Sequence, residues 1–427
     1  MLMSVPGCGG GEAGQTGAHA GSDPVLPPPQ RSLIPTVDIA PATGWPAGVT
    51  PTPSPGLRLT RFASGLQHPR WLLVLPNGDV LVAESNAPAG KSGVGGLKGK
   101  VMGMVMKRAG AGVPSADRIT LLRDADRDGV AELVQVFMTG LHSPFGMALV
   151  GDTLYVANAD ALVAVPYESG QTRMTAVPRV IVNLPGHGDE LNHHWTKSLL
   201  ASADGRLLYV GVGSNSNVGE NGMAVEANRA AILEIDPARQ STRVFASGLR
   251  NPVGLAWAPG SNALWAVVNE RDELGNDLVP DYLTEVRPGG FYGWPYSYYG
   301  QHLDPRVKPQ APAEVARAIK PDYALGSHVA PLGLAFSAGG DWSGGQGGAV
   351  VGLHGSWNRK PQVGYEVAFV PFSNARPAGQ MRTLLSGFLD GEGNARGRPV
   401  GIAVDARGGI LVADDVGNTI WRLTSAR

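Results

Sequence analysis

Six stretches of this chain repeat one pattern: a corner built on proline or glycine, an apolar strand, a tight turn and a second apolar strand. They are GLQHPRWLLVLPNGDVLVAES (residues 65–85), GLHSPFGMALVGDTLYVANAD (140–160), HHWTKSLLASADGRLLYVGVGSN (193–215), GLRNPVGLAWAPGSNALWAVVNE (248–270), APLGLAFSAGG (330–340) and GRPVGIAVDARGGILVADDVG (397–417). The third departs from the rest in carrying Trp195 and Thr196 where the others carry proline. Copies spaced roughly 50 to 80 residues apart are too long for a hairpin array and fit the blades of a six-bladed β-propeller, all-β in class. The 60 glycines and 34 prolines in a chain that is still 43% hydrophobic agree, because many short buried strands need many tight turns. A pair of β-sandwiches is the alternative, and it is disfavoured because sandwiches rarely repeat one turn-anchored pattern six times.

A ring also needs closing. GNTIWRLTSAR at residues 417–427 reads as a strand, and LRLTRFASGL at 57–66 reads as another, so the two ends of the chain are expected to pair within one blade. The segments around 92–115, 272–330 and 340–347 then become loops on the faces of the ring. Residues 1–50 are expected to be a disordered leader and 51–427 the propeller.

Lys plus Arg number 35 against 36 Asp plus Glu, which gives no electrostatic case for nucleic acid or an anionic membrane surface. The single cysteine, Cys8, excludes disulfides and a haem held by CxxCH. VPGC followed by a glycine-rich polar tether resembles a lipobox, but the seven residues before it supply neither a charged start nor an apolar stretch of roughly 7 to 15 residues. A lipid anchor and an incidental cysteine both stay open. No segment is long and apolar enough for a transmembrane helix.

In a propeller the first strand of each repeat lies nearest the axis, so the corner before it faces the central channel. That brings Gln67 and His68, His142 and Ser143, His193 and His194, Arg250 and Asn251, and Arg396 and Arg398 to one rim. One imidazole, three guanidiniums and an amide make an anion-binding rim with a titratable base. No HExxH, no phosphate-cradling glycine loop and no Ser-His-Asp order competes with it. Elsewhere DADRDGVAE places Asp124, Asp126 and Asp128 at alternate positions with Gly129 next and Glu132 beyond, the first half of a calcium loop. A plain acidic turn is the other reading, and a structural role is expected before a catalytic one.

HHWTKSL, GLRNPVGLAW, GGFYGWP (289–295), HGSWNR (354–359) and RGRPVG (396–401), in that order, resemble the soluble pyrroloquinoline quinone (PQQ)-dependent sugar dehydrogenases of the glucose and sorbosone dehydrogenase group. The resemblance covers roughly residues 55–425. It implies His194 as the base that takes the substrate hydroxyl proton while hydride passes to the quinone. It implies Arg250 beside the quinone carbonyl with Asn251 as neighbour, and Arg396, Arg398 and Arg359 or Lys360 on the cofactor carboxylates. It implies a catalytic calcium held by backbone carbonyls of the loop NERDELGND, with Arg271 and Asp272 as nearest matches. The sugar would be of sorbosone or aldose type, the electron acceptor an external cytochrome or quinone, and the location periplasmic or cell-envelope. Where the glucose enzymes carry an aspartate to orient the histidine, this chain reads VGSNSN, which leaves Ser214 or Asn215 for that task. The family's substrate-binding glutamine has no clear match, and His142 stands only in its position. A calcium-dependent lactonase and a non-catalytic glycan-binding propeller are the competing readings. The first needs acidic side chains on the axis and the second an aromatic rim.

Overall fold

The computed structural model describes residues 19–30, 36–90, 103 and 107–426. Six antiparallel four-stranded sheets follow one another around an axis. The first is Pro69–Val74, Val80–Glu84, Arg118–Arg123 and Leu133–Met138. The second is Met147–Val150, Thr153–Ala157, Ala161–Pro166 and Arg179–Asn183. The third is Lys197–Ala201, Leu208–Val212, Ala231–Asp236 and Ser241–Ser247. The fourth is Asn251–Trp257, Leu264–Asn269, Pro280–Val286 and Tyr323–Ser327. The fifth is Pro331–Ser337, Gly348–Leu353, Glu366–Ser373 and Arg382–Ser386. The sixth takes Pro399–Val404, Ile410–Asp414 and Thr419–Ser425 from the end of the chain and Leu57–Ser64 from its start. Leu57 lies opposite Ser425 and Ser64 opposite Thr419, so the two ends pair as the sequence predicts. This is a six-bladed β-propeller.

The innermost strands touch one another in a closed cycle, each against the next and the sixth against the first. Glycine makes that approach feasible. A Cβ on Gly333 would sit 2.2 Å from the Val400 carbonyl oxygen, and one on Gly146 would sit 2.2 Å from the Leu199 nitrogen. Gly254 and Gly401 face the backbone of the next blade in the same way, at Leu332 and Arg70. In four blades a bulge follows the opening proline, at Pro69, Pro252, Pro331 and Pro399, and turns the strand's start toward the axis. Further out, six apolar clusters fill the seams between blades, one per seam.

Two expectations need correction. The stretch 272–330 is not only loop, since it holds the third and fourth strands of blade four, Pro280–Val286 and Tyr323–Ser327. Those strands sit away from the axis, and Tyr323–Ser327 is a short edge strand that the inner-strand pattern does not mark. Nor is the leader a free tether throughout: Gly21 bridges to Ala324, Ala40 is fully buried, and Trp45 Nε1 donates to Asp414 Oδ2 at 2.6 Å. Cys8 and most of 92–115 lie outside the described residues.

Gly333→Ala should lower stability by about 1–3 kcal/mol or more, because its methyl group meets backbone that cannot step aside. Gly391→Ala, where nothing lies within 4 Å, should change it by about 0.5 kcal/mol or less. Denaturant melts of the two variants compare them, and equal midpoints would show that the inner-strand contact is not limiting.

Candidate active site

Because neighbouring strands are antiparallel, the corner before each inner strand and the loop after each second strand share one end of the ring. Side chains from these twelve segments therefore meet over the channel mouth. The corners are strained where they turn inward: His68, Ser143 and Ala330 have φ of 54°, 46° and 54°.

Blade three contributes His194. Its Nδ1 lies 2.6 Å from the Ser214 carbonyl, an oxygen that can only accept, so Nδ1 carries the proton and Nε2 keeps its lone pair. Burial, then the neighbouring His193 and the Arg250 charge, hold this imidazole well below its usual range. It is neutral at physiological pH, in the tautomer a base requires. The residue that orients it is Ser214, through its backbone carbonyl and also its hydroxyl oxygen, which lies 3.3 Å from Nδ1 while donating to the Ser216 carbonyl. Asn215 instead accepts from the His193 backbone N–H at 3.1 Å. Lys197, wholly buried, donates to Asn192 Oδ1 and to the Trp195 carbonyl, both at 3.0 Å, and Arg229 donates to that Asn192 oxygen and to the Leu191 carbonyl. Between them they pin the segment that carries the two histidines.

Blade four places Arg250 and Asn251 beside it. A Cβ on Gly213 would lie 2.5 Å from His194 Cβ and 2.2 Å from Asn251 Oδ1, so this glycine lets the histidine and the amide approach. Arg250 is buried and held on all sides: Nη1 donates to the Glu270 carbonyl at 2.7 Å, and Nη2 donates to Asn217 Oδ1 and Asp272 Oδ2, each at 3.1 Å. Burial works against the Asp272 charge, but Arg250, His328 and Asn358 more than offset it and bring the carboxyl down to about 2.

Across the ring, blades five, six and one build a second charged group. Asp415 takes Arg70 through Nη1, His354 Nε2 at 2.9 Å and His68 Nε2 at 3.6 Å. Burial opposes its ionisation, but the two histidines and Arg70 hold it far below the usual carboxylate range. Arg70 also lies over the rings of Phe145 and Trp195, at 5.9 and 5.8 Å, which ties this group to blades two and three. A cleft of about 620 Å³ opens beside His68 and Asp415.

Arg398 is different. It is 3% exposed, stands 4.8 Å over the Tyr365 ring, and donates through Nη2 to the Ala40 carbonyl at 3.3 Å. Its Nε has no partner, and no carboxylate pairs with it among the described residues. A buried guanidinium without a counter-ion is costly, and buried charges are ordinarily paired.

The ring thus brings His194, Arg250 and Asn251 together, while Arg398 lies with the Asp415 group, its carbonyl accepting from the Asp415 N–H at 3.3 Å and its charge acting on His354. Arg396, expected with them, is half-buried and lies toward Asp390, whose carboxyl it helps hold down after the Asn394 hydrogen bonds. Arg359 reaches Asp277 at 2.9 Å and the Ser327 carbonyl at 3.3 Å, while Lys360 is exposed. His142 pairs with Asp160 at 2.8 Å. Arg271 is completely buried in an ion-pair network with Glu270 and Asp304, so its side chain is structural. Asp272 has both carboxylate oxygens and its carbonyl engaged, by Asn358, Arg250 and Arg306. Cations surround its side chain, so the Asp272 carboxylate itself is not free to hold a calcium ion. The four carboxylates of 124–132 lie between the third and fourth strands of blade one, at the opposite end of the ring from His194. Arg70, His354, Asp415, Asn217 and His328 were not selected from sequence. The only available signal was that each sits at a repeat corner or just after a second strand.

A family profile described as TrAA12-like matches residues 116–289 and 309–426. The PQQ-dependent pyranose dehydrogenase of Coprinopsis cinerea is 28% identical over 289 residues, 54% of this chain and 39% of that protein, so the match spans well under half of the relative. The solved PQQ domain of a Coprinopsis cinerea pyranose dehydrogenase, in its holo form, superposes with a TM-score of 0.69 at 21% identity, covering 91% of this chain and all of that one. A calcium structure of a Trichoderma reesei carbohydrate-active enzyme of family AA12 superposes at 0.70 and 20% identity, over 92% and 99% of the two chains.

The histidines predict an acid limb in stability. Burial brings His354 down to about 4 although Asp415 resists, and burial likewise lowers His68. A folded-state value below the unfolded 6.5 means that the unfolded chain takes the proton first. The stabilisation is therefore complete above pH 6.5 and is lost as pH falls toward about 4, by about 3 kcal/mol for His354. Urea melts from pH 7 to 4.5 should decline less steeply in His354→Gln than in the parent, and equal slopes would refute the assignment.

Proposed function

The chain belongs to the TrAA12-like family, and on that footing we propose that it is an oxidoreductase of sugars that works with PQQ and calcium. The substrate is proposed to be a sugar hydroxyl or aldehyde hydrate of aldose or sorbosone type. The observation that carries the reading is the unpaired, buried Arg398 on a rim already rich in fixed guanidiniums. A flat tricarboxylate is the kind of ligand whose anionic groups match such forks. The orphaned Nε atoms of Arg70, Arg359 and Arg398 are donors that the described residues do not satisfy. The donor set therefore fits PQQ. Arg250, Asn251 and Arg398 are proposed to hold it, with Arg359, Lys360 and Arg396 further out.

When bound, the quinone supplies a two-electron acceptor that no side chain here can replace. The rest belongs to the chain. His194 Nε2 is free to accept the hydroxyl proton, and the Ser214 carbonyl keeps the ring turned for it. Among the described residues no carboxylate stands behind the resulting imidazolium, so its charge rests on the Ser214 carbonyl and hydroxyl. Arg250 is proposed to set a positive charge beside the carbonyl that becomes electron-rich, and its four acceptors fix its orientation before substrate arrives. An external cytochrome or quinone would receive the electrons, in a periplasmic or cell-envelope setting. A lactonase would need free carboxylates on the axis, and Asp272 and Asp415 are both committed to arginines.

Purified protein mixed with PQQ and calcium should acquire the cofactor's absorbance and reduce a dye when given aldoses or sorbosone. His194→Ala should still take up PQQ but turn over about 10²–10⁴-fold more slowly. Absence of uptake by the parent protein would overturn the proposal, and undiminished turnover in the variant would remove His194 from the chemistry.

A further inference from the structure

We infer that residues 124–132 form a calcium site whose ion clasps the seam where the ring closes. Asp124, Asp126, Asp128 and Glu132 each offer a carboxylate oxygen, and these oxygens lie within 4.8 Å of one another. That is the separation expected around one hard cation, whose oxygen ligands stand 2.3–2.6 Å from it. Each carboxylate uses one oxygen to hold the loop's own backbone: Asp124 Oδ2 accepts from Gly129, Asp126 Oδ1 from Asp128, Asp128 Oδ1 from Val130 and Glu132 Oε2 from Ala125. The loop is therefore folded with its remaining oxygens to spare. Gly129 has a φ of 95°, which a side chain would resist.

A separate observation points to a ligand. The Asp124 side chain is 5% exposed, and its Oδ1 is buried with no hydrogen-bond partner. A desolvated carboxylate oxygen without a donor is expensive unless something cationic meets it. Arg407 does not fill that role, because its Nη2 bonds the other oxygen, Oδ2, at 2.6 Å. No ion pair reaches Asp126, Asp128 or Glu132 among the described residues, so four carboxylates share a single guanidinium.

The loop's surroundings say what the ion would do. Arg407 belongs to the turn between Pro399–Val404 and Ile410–Asp414 of blade six, and its Nη1 donates to the Arg127 carbonyl at 2.7 Å. The Ala131 N–H donates to the Phe62 carbonyl at 2.8 Å, on the strand that the start of the chain lends to blade six. Ala131 is also packed in the apolar seam with Phe62, Ala63, Leu411 and Ile420. One loop of the first blade thus grips both contributions to the last blade. Fixing it with calcium would hold the ring shut from the face opposite His194, independently of any redox role.

Calcium titration of the apoprotein by calorimetry, and its effect on Tm, test this. The double variant Asp126→Asn, Asp128→Asn should bind one calcium fewer per chain than the parent. The parent's Tm should rise by about 3 °C or more in excess calcium but not in equimolar magnesium, and the rise should vanish in the variant. Should the double variant not fold, Asp126→Asn alone serves the same comparison. Equal calcium stoichiometry in parent and variant would overturn the proposal. PQQ uptake followed by absorbance in the same variant separates the two readings: retained uptake with a lost calcium leaves the sugar oxidoreductase standing, and failure of uptake in the parent leaves this site standing.

Discussion

The architecture depends on a contact that most side chains forbid. Neighbouring innermost strands come close enough for Gly146, Gly254, Gly333 and Gly401 to lie against the backbone of the next blade, where a methyl group would overlap main-chain atoms. That spacing sets the radius of the ring, and the radius decides which groups share the channel mouth. With larger residues at these positions the corners would stand further from the axis, and Arg70 would no longer reach the Trp195 ring two blades away. Geometry at the site is thus fixed by the absence of side chains well below it.

On the rim the governing quantity is uncompensated charge. Asp272 neutralises Arg250, and Asp415 serves Arg70 while lying against two histidines whose protonation burial opposes and Asp415 favours. These carboxylates hold the cations in position without exposing them to water. Arg398 has an aromatic face and a carbonyl instead, and both are weaker partners for a desolvated guanidinium than a carboxylate would be. The asymmetry sets a neutral imidazole on blade three apart from a guanidinium on blade six that no carboxylate pairs among the described residues. The carboxylate-rich loop of blade one, where calcium is proposed, has the opposite balance, four carboxylates to one guanidinium among the described residues.

What was legible in the sequence follows the inner strands. Their glycines and prolines are demanded by backbone contacts, so they recur at fixed places, and the blades, the ring closure and the corners that carry His194, Arg250, Asn251 and Arg398 could be located from them. Residues that act through a partner far along the chain left no such trace. Asp415 pairs with Arg70 across 345 positions and Asn358 with Asp272 across 86, and nothing local distinguishes those carboxylates from solvated ones. Arg271 shows the converse: it stands in the expected stretch, yet its side chain turns inward to Glu270 and Asp304. The outer strands of blade four were missed because an outer strand needs no glycine and no proline corner.

Among the described strands, Leu57–Ser64 pairs in its sheet with Thr419–Ser425 alone. During synthesis the amino-terminal part of the chain therefore leaves the ribosome hundreds of residues before its place in the sheet exists. Until then its edge is unpaired, and an unpaired strand edge is open to pairing with other chains. A cut near the carboxyl end would cost two strands rather than one, the strand removed and the distant one left behind.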